Sequence, residues 1–265
     1  MSRPLRVDRH TSGADAGITV LTLALPDRRN AMTEELTAAW AEAVEQLRGD
    51  RSVRCVVVTG EGRAFCAGGD VSWLASAPDA TVDQLRDRML PFYRTWLGLR
   101  TLDVPSISAV NGPAVGAGGC LAMSTDIRYA GAAAKFTLPF AQLGMAAGMA
   151  ATWLLPELVG PATARELLLT GRVCDAAEML RLGLASAVYD DAVLLERVME
   201  QARAVAAGAP VAQRLHTVAL REGHRSLEEA LRWEGVAQPV TLATADLQEG
   251  LRARAEKRPA VFTGH

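Results

Sequence analysis

Val110-Asn111-Gly112-Pro113-Ala114-Val115-Gly116-Ala117-Gly118-Gly119-Cys120-Leu121 is the stretch on which the reading of this chain turns. A run with strand character, Pro105–Val110, leads into it through Asn111-Gly112-Pro113, a turn signal. The small residues Gly116-Ala117-Gly118-Gly119 then open a helix that continues through Leu121 and Met123. Small residues between a strand and a helix permit close approach, because backbone N–H groups meet a neighbour with no side chain in between. At a helix N-terminus those donors lack intrahelical partners and favour developing negative charge.

A second loop of this kind lies upstream, Gly60-Glu61-Gly62-Arg63-Ala64-Phe65-Cys66-Ala67-Gly68-Gly69-Asp70, after a buried-type strand at Val53–Thr59. Two such loops facing each other would make an oxyanion hole. Tight turns that merely pack a strand against a helix would use the same residues, and spacing does not separate the two.

Further out, Ile18–Leu25 has strand character and is broken by Pro26-Asp27-Arg28-Arg29-Asn30. Thr33 can cap a helix through Leu36, Trp40, Val44 and Leu47. Strand, helix and strand in that order predict an α/β fold. A helix is expected from Val82 to Leu99, with Leu85, Met89, Phe92, Tyr93 and Trp96 at helical spacing. Short strands are expected at Asp126–Ala130 and Phe136–Leu138, helices within 149–182, and a mostly helical tail from Asp191 to Leu251. The chain divides into a core, residues 1–195, and a helical C-terminal region, 196–265.

The 265 residues carry a net charge of −2, so no basic excess points to nucleic acid. No run of about 18 apolar residues suggests a membrane span, and Met1 to Arg9 lacks a secretory apolar stretch. Cys55, Cys66, Cys120 and Cys174 are widely spaced, which argues against a disulfide framework or zinc ribbon and for a reducing cytoplasm. The four histidines have no metal-ligand spacing. A dinucleotide site is disfavoured too: the run at Gly116 lacks the third glycine of GxGxxG, and Asp126 stands too close to serve the ribose.

Several segments together resemble the crotonase superfamily, also called the enoyl-CoA hydratase/isomerase family. They are Pro26–Met32, Ala64–Asp70, Val110–Gly119, Asp126–Ala130, Gly171–Gly183 and the tail Gln248–Leu251 with Glu256–Pro259 and Phe262. The resemblance implies a spiral of ββα turns followed by a helical C-terminal trimerisation region, assembled as a homotrimer or homohexamer. It implies an acyl-CoA thioester as partner, with coenzyme A part of the substrate and no tightly bound cofactor. Its oxyanion hole would be the backbone N–H groups of Gly69 and Ala117. Arg28 and Ala67 would lie along the coenzyme A arm, with Asp70 organising the loop and Phe262 and His265 near the nucleotide of a neighbouring subunit. Where some relatives carry a lysine after the aspartate, this chain has Ser72.

Two glutamates activate water in the family's hydratases. Their positions fall here on Cys120 and Phe140, and the acid of some isomerases and dehalogenases falls on Gly148. None of these supplies a carboxylate, so ordinary hydration is in doubt. Decarboxylation or a substrate-assisted isomerisation would suit such a site better. A non-catalytic acyl-CoA carrier or sensor on the same fold is the competing reading. Cys120 reads more simply as a small pocket filler, and Asp79, Asp83 and Asp87 as a solvated surface. Tyr93 could donate a proton, yet Met89, Phe92, Tyr93 and Trp96 also form an apolar stripe; Trp73 could wall an acyl chamber.

Overall fold

The computed structural model describes residues 3–265. In chain order the elements begin with β1 (Leu5–Arg9), β2 (Ile18–Leu23), α1 (Glu34–Leu47), β3 (Cys55–Gly60), α2 (Val71–Leu74) and α3 (Val82–Trp96). Next come β4 (Ser106–Val110), β5 (Pro113–Val115), α4 (Ala117–Ser124), β6 (Ile127–Gly131), β7 (Lys135–Thr137) and α5 (Ala151–Thr170). The chain continues through β8 (Cys174–Asp175), α6 (Ala176–Leu182), β9 (Ala187–Tyr189) and α7 (Leu194–Ala206). Three helices close it: α8 (Pro210–Glu222), α9 (Leu227–Leu242) and α10 (Ala245–Glu256).

The strands form two sheets. The larger runs β1-β2-β3-β4-β6-β9, all parallel except β1, and the smaller runs β5-β7-β8. Single bridges join Met32 to Gly69 and Cys66 to Ala114, and they extend the wall that β5 and β7 build. Each turn of chain thus gives one strand to the large sheet, one short extended piece to the second wall, and a helix. Repetition of that unit makes a ββα spiral.

Both faces of the large sheet are buried, so its central strands read as unbroken apolar runs rather than alternating ones. Leu21, Leu23, Val56 and Val58 face a core shared with α1, α3 and α4. Ile18, Val20, Cys55, Val57 and Ile107 face a second core covered by Leu194, Val198 and Ala202 of α7. The helix that straddles residues 195 and 196 therefore packs on the sheet. The N-terminal caps of α1 and α3 are made by Thr33 and Thr81, whose hydroxyls accept from the amides of Leu36 and Gln84.

Several boundaries differ from the sequence reading. β1 escaped it because only Leu5 is buried, so a charged edge strand carries almost no apolar signal. The turn at Asn111-Gly112-Pro113 passes directly into β5; Pro113 takes its first position, where a missing N–H costs little. β8 and β9 are too short, two and three residues, to show a period. α5 is broken at Gly160 (φ 75°, ψ 161°), just before Pro161.

Arg221 pins the tail to the core. Its guanidinium forms two bonds to Asp126, at 2.7 and 2.6 Å, and others to the Arg100, Leu102 and Val104 carbonyls. Its side chain is only 7% exposed, so it is held as a fixed fork rather than a mobile surface charge. Beyond it, α8–α10 leave Leu220, Leu227, Val236 and Val240 open to solvent.

Candidate active site

The two small-residue loops lie side by side. Cys66 donates its amide to the Pro113 carbonyl at 3.1 Å, and Val115 returns one to Cys66 at 3.0 Å. This ladder brings Gly68 (φ 93°) against the other loop. A Cβ built on it would lie 2.5 Å from the Val115 carbonyl oxygen and 3.3 Å from the Ala117 amide nitrogen. Only glycine tolerates both the angle and the approach. Asn30 and Asn111 fix the loops from behind. The Asn30 amide group donates to the Ala64 and Glu61 carbonyls, and Asn111 accepts from the Gly60 amide while donating to Gly62. Sequence reading missed these ties; the available signal was one asparagine in the segment after β2 and another directly after β4.

Gly116 (φ 54°) ends β5 and caps α4, with its amide on Thr137 and its carbonyl accepting from Cys120. Ala117 is therefore the first residue of a helix, and its N–H has no intrahelical acceptor. Among the described residues, neither the Ala117 amide nor the Gly69 amide donates a hydrogen bond within the chain. The sequence-predicted pair is thus present as two unpaired donors on adjoining loops, one of them at a helix N-terminus.

Asp70 caps α2 and accepts from the amides of Ser72 and Trp73 at 2.8 and 3.3 Å. It also pairs with the Arg28 guanidinium. The Ser72 hydroxyl bond, with the backbone amides and Arg28 beside it, holds the Asp70 carboxyl below its usual range despite burial. A carboxylate so committed organises the loop; it is not a free acid. Arg28 remains half exposed and opens on a cleft of about 690 Å³ that Arg3, Arg6, Pro26 and Glu61 also line.

Cys120 is fully buried one turn along α4 from Ala117, and its thiol faces the Gly148 carbonyl at 3.7 Å. Burial raises its pKa far above the usual thiol value, so it is neither a nucleophile nor an anionic base at neutral pH. Phe140 lies over Gly116, where a Cβ would be 3.9 Å from its ring. Trp73 stacks on Phe92 at 5.0 Å, with the Arg88 guanidinium 3.9 Å from the Trp73 ring centroid. Asp79, Asp83 and Asp87 are exposed, as a solvated surface requires.

Tyr93 departs from the stripe in which the sequence places it. Phe92 and Trp96 are buried, whereas Tyr93 is only partly so. Its hydroxyl lies against Gly148, 2.6 Å from where a Cβ there would stand.

Phe262 and His265 are far from Arg28 within the chain. The Phe262 carbonyl accepts from Arg54, which precedes β3, and Phe262 packs on Gly250 of α10. Arg28 follows β2, and β2 and β3 are parallel. The two groups therefore sit at opposite ends of strands about 20 Å long.

The sequence model of the enoyl-CoA hydratase/isomerase family matches residues 13–265. The "Probable enoyl-CoA hydratase EchA14" of Mycobacterium tuberculosis is 43% identical over 189 residues, 71% of this chain and 70% of the relative. The 1,2-epoxyphenylacetyl-CoA isomerase of Escherichia coli is 34% identical over 96% of this chain and 97% of the relative. Among solved structures, an enoyl-CoA hydratase from Bacillus anthracis superposes with a TM-score of 0.91 at 30% identity, covering 99% of this chain and all of that one. Spiral and helical C-terminus together are those of the crotonase superfamily. The chain belongs to the enoyl-CoA hydratase/isomerase family, whose members act on coenzyme A thioesters. Among the described residues no helix is long and apolar enough to cross a membrane.

Proposed function

We propose that this family member is an enzyme that holds the carbonyl oxygen of an acyl-CoA thioester between the N–H groups of Gly69 and Ala117. The carrying observation is that both amides lack acceptors on loops pressed together at Gly68 and Val115. Two fixed donors aimed at a thioester oxygen stabilise the enolate more than the ground state, which is what accelerates a reaction. Arg28 and Ala67 border the path of the coenzyme A arm, and the 690 Å³ cleft beside Arg28 offers room and positive charge for its nucleotide end. Phe262 and His265 would serve a neighbouring copy, through a homotrimer or homohexamer built on the open apolar face of α8–α10.

With a protonated thiol at Cys120 and a phenyl ring at Phe140, the site has no carboxylate to activate water at the usual glutamate positions. Decarboxylation or substrate-assisted isomerisation fits better than hydration, because each needs little proton abstraction by the protein. The same missing carboxylates favour a second reading, an acyl-CoA carrier or sensor without turnover. Mass spectrometry of enoyl, saturated, malonyl-type and aromatic acyl-CoA thioesters incubated in deuterium oxide separates the two. Lost carbon dioxide, added water, exchanged α-deuterium or freed coenzyme A supports an enzyme and names its reaction. Binding with every thioester unchanged establishes the carrier.

A further inference from the structure

We propose that the hydroxyl of Tyr93 is the proton donor of this site, taking up from α3 the place that a side chain at residue 148 would otherwise fill. The inference rests on the enolate reading above and adds to it the group that ends the reaction.

Three contacts define the place. Ala117, the second carbonyl donor, begins α4; Cys120 lies one turn further along and turns its thiol toward the Gly148 carbonyl at 3.7 Å. Over Gly148 sits the Tyr93 ring, with its oxygen 2.6 Å, its Cζ 2.8 Å and its Cε1 3.1 Å from a Cβ built on that glycine. Any side chain at 148 would displace the phenol, so the glycine and the tyrosine make one arrangement. The contacts lead step by step from carbonyl donor to phenol: Ala117 and Cys120 on α4, then Gly148, then Tyr93.

The hydroxyl is also unspent. Among the described residues it makes no hydrogen bond with the protein, and the one sealed polar side-chain atom without a partner is Trp40 Nε1. The Tyr93 oxygen is therefore open to whatever enters beside it, whereas its ring packs against the core. A phenol fixed by its ring and free at its oxygen is held ready without committing its proton elsewhere. Burial, with Cys120 nearby, raises the Tyr93 pKa above its ordinary value, so the proton stays on oxygen at neutral pH. Such a group is a poor base and a serviceable acid toward a carbanion, which is far more basic.

The chemistry balances for a malonyl-type thioester. Loss of carbon dioxide breaks the bond from the α-carbon to the carboxylate and leaves the electron pair as an enolate, its oxygen on the Gly69 and Ala117 amides. The Tyr93 O–H bond then breaks, its proton joins the α-carbon with that electron pair, and the carbonyl re-forms. Water reprotonates the phenolate. No carboxylate base enters, in keeping with the residues at 120, 140 and 148.

The test compares the full-length protein with Tyr93→Phe on the thioester panel in deuterium oxide, measuring kcat, the dissociation constant of each thioester, and the position and stereochemistry of deuterium. Because the hydroxyl has no protein partner, removing it leaves the packing of the ring intact. The expected result is a fall in kcat of about 100-fold or more with affinity unchanged, and loss of facial selectivity in the deuterium introduced. A merely structural tyrosine would leave kcat and label stereochemistry alone; that outcome overturns the role of Tyr93 while leaving the enolate reading standing. Deuterium entering no thioester that the wild-type protein binds, and no carbon dioxide released, overturns both. Gly148→Ala, whose methyl group would push the phenol aside, is expected to lower kcat in the same way; full activity there with normal stereochemistry also counts against the assignment.

Discussion

Gly68 and Val115 meet backbone to backbone, with the space for a Cβ on Gly68 filled to within 2.5 Å by the Val115 carbonyl oxygen. The contact sets the spacing of the residues that follow each of them, Gly69 and, one residue later, Ala117. Gly68→Ala must either move that carbonyl or abandon φ 93°. Turnover of the best acyl-CoA substrate is expected to fall about 100-fold or more, the loss typical of a displaced oxyanion donor. Steady-state kinetics on the variant check this; unchanged kcat would remove the paired amides from the mechanism.

Arg221 and Asp126 offer a stability test away from the site. Arg221→Ala strips the Asp126 carboxylate of its guanidinium partner, leaving it the Ser106 amide and hydroxyl, and takes the side-chain donor from three carbonyls; it should cost about 3–5 kcal/mol. Arg221→Lys should recover only part of this, because an ammonium cannot bond two carboxylate oxygens and several carbonyls from one plane. Denaturant midpoints of the three proteins measure it.

Alkaline pH should weaken the fold through its buried thiols. Burial pushes Cys55 and Cys66 up to about 12. Between the ordinary thiol value near 9 and about 12, the unfolded chain loses protons that the folded chain keeps, so stability falls as pH rises through that window. Melting temperature against pH should therefore drop across this range, with a shallower slope in Cys55→Ala. The native thiols of Cys55, Cys66 and Cys120 should also resist an aromatic disulfide reagent at pH 8 until the protein is unfolded.

Leu220, Leu227 and Val236 stand 83%, 78% and 71% exposed on α8 and α9, apolar surface of the kind an interface between copies would cover. Sedimentation should give a trimer or hexamer, and Leu220→Glu with Val236→Glu should shift it toward the monomer. A wild-type protein that sediments as a monomer would refute the assembly.

Much of this was legible in the sequence because it depends on local pattern. β2 and β3 declare themselves by apolar runs, Thr33 by its place before an amphipathic helix, and the loops at Gly68 and Gly116 by composition. What the sequence hides is of two kinds. β1 and β9 bury too few side chains to leave a period, and their pairing is a tertiary event. The position of Tyr93 over Gly148 is hidden for another reason: it joins residues from different turns of the spiral, and in α3 the tyrosine is spaced like any apolar neighbour. Its hydroxyl was the one mark that set it apart from Phe92 and Trp96.

The tail at Phe262 and the loop at Arg28 occupy opposite ends of the same parallel strands. If Arg28 marks the nucleotide end of the ligand, as proposed, the C-terminus of the same chain stands at the wrong end to close it, and Phe262 and His265 would serve another copy's. Ligand affinity then becomes a function of protein concentration. On dilution, binding would weaken while the spiral itself, with α7 still folded on its sheet, stayed intact.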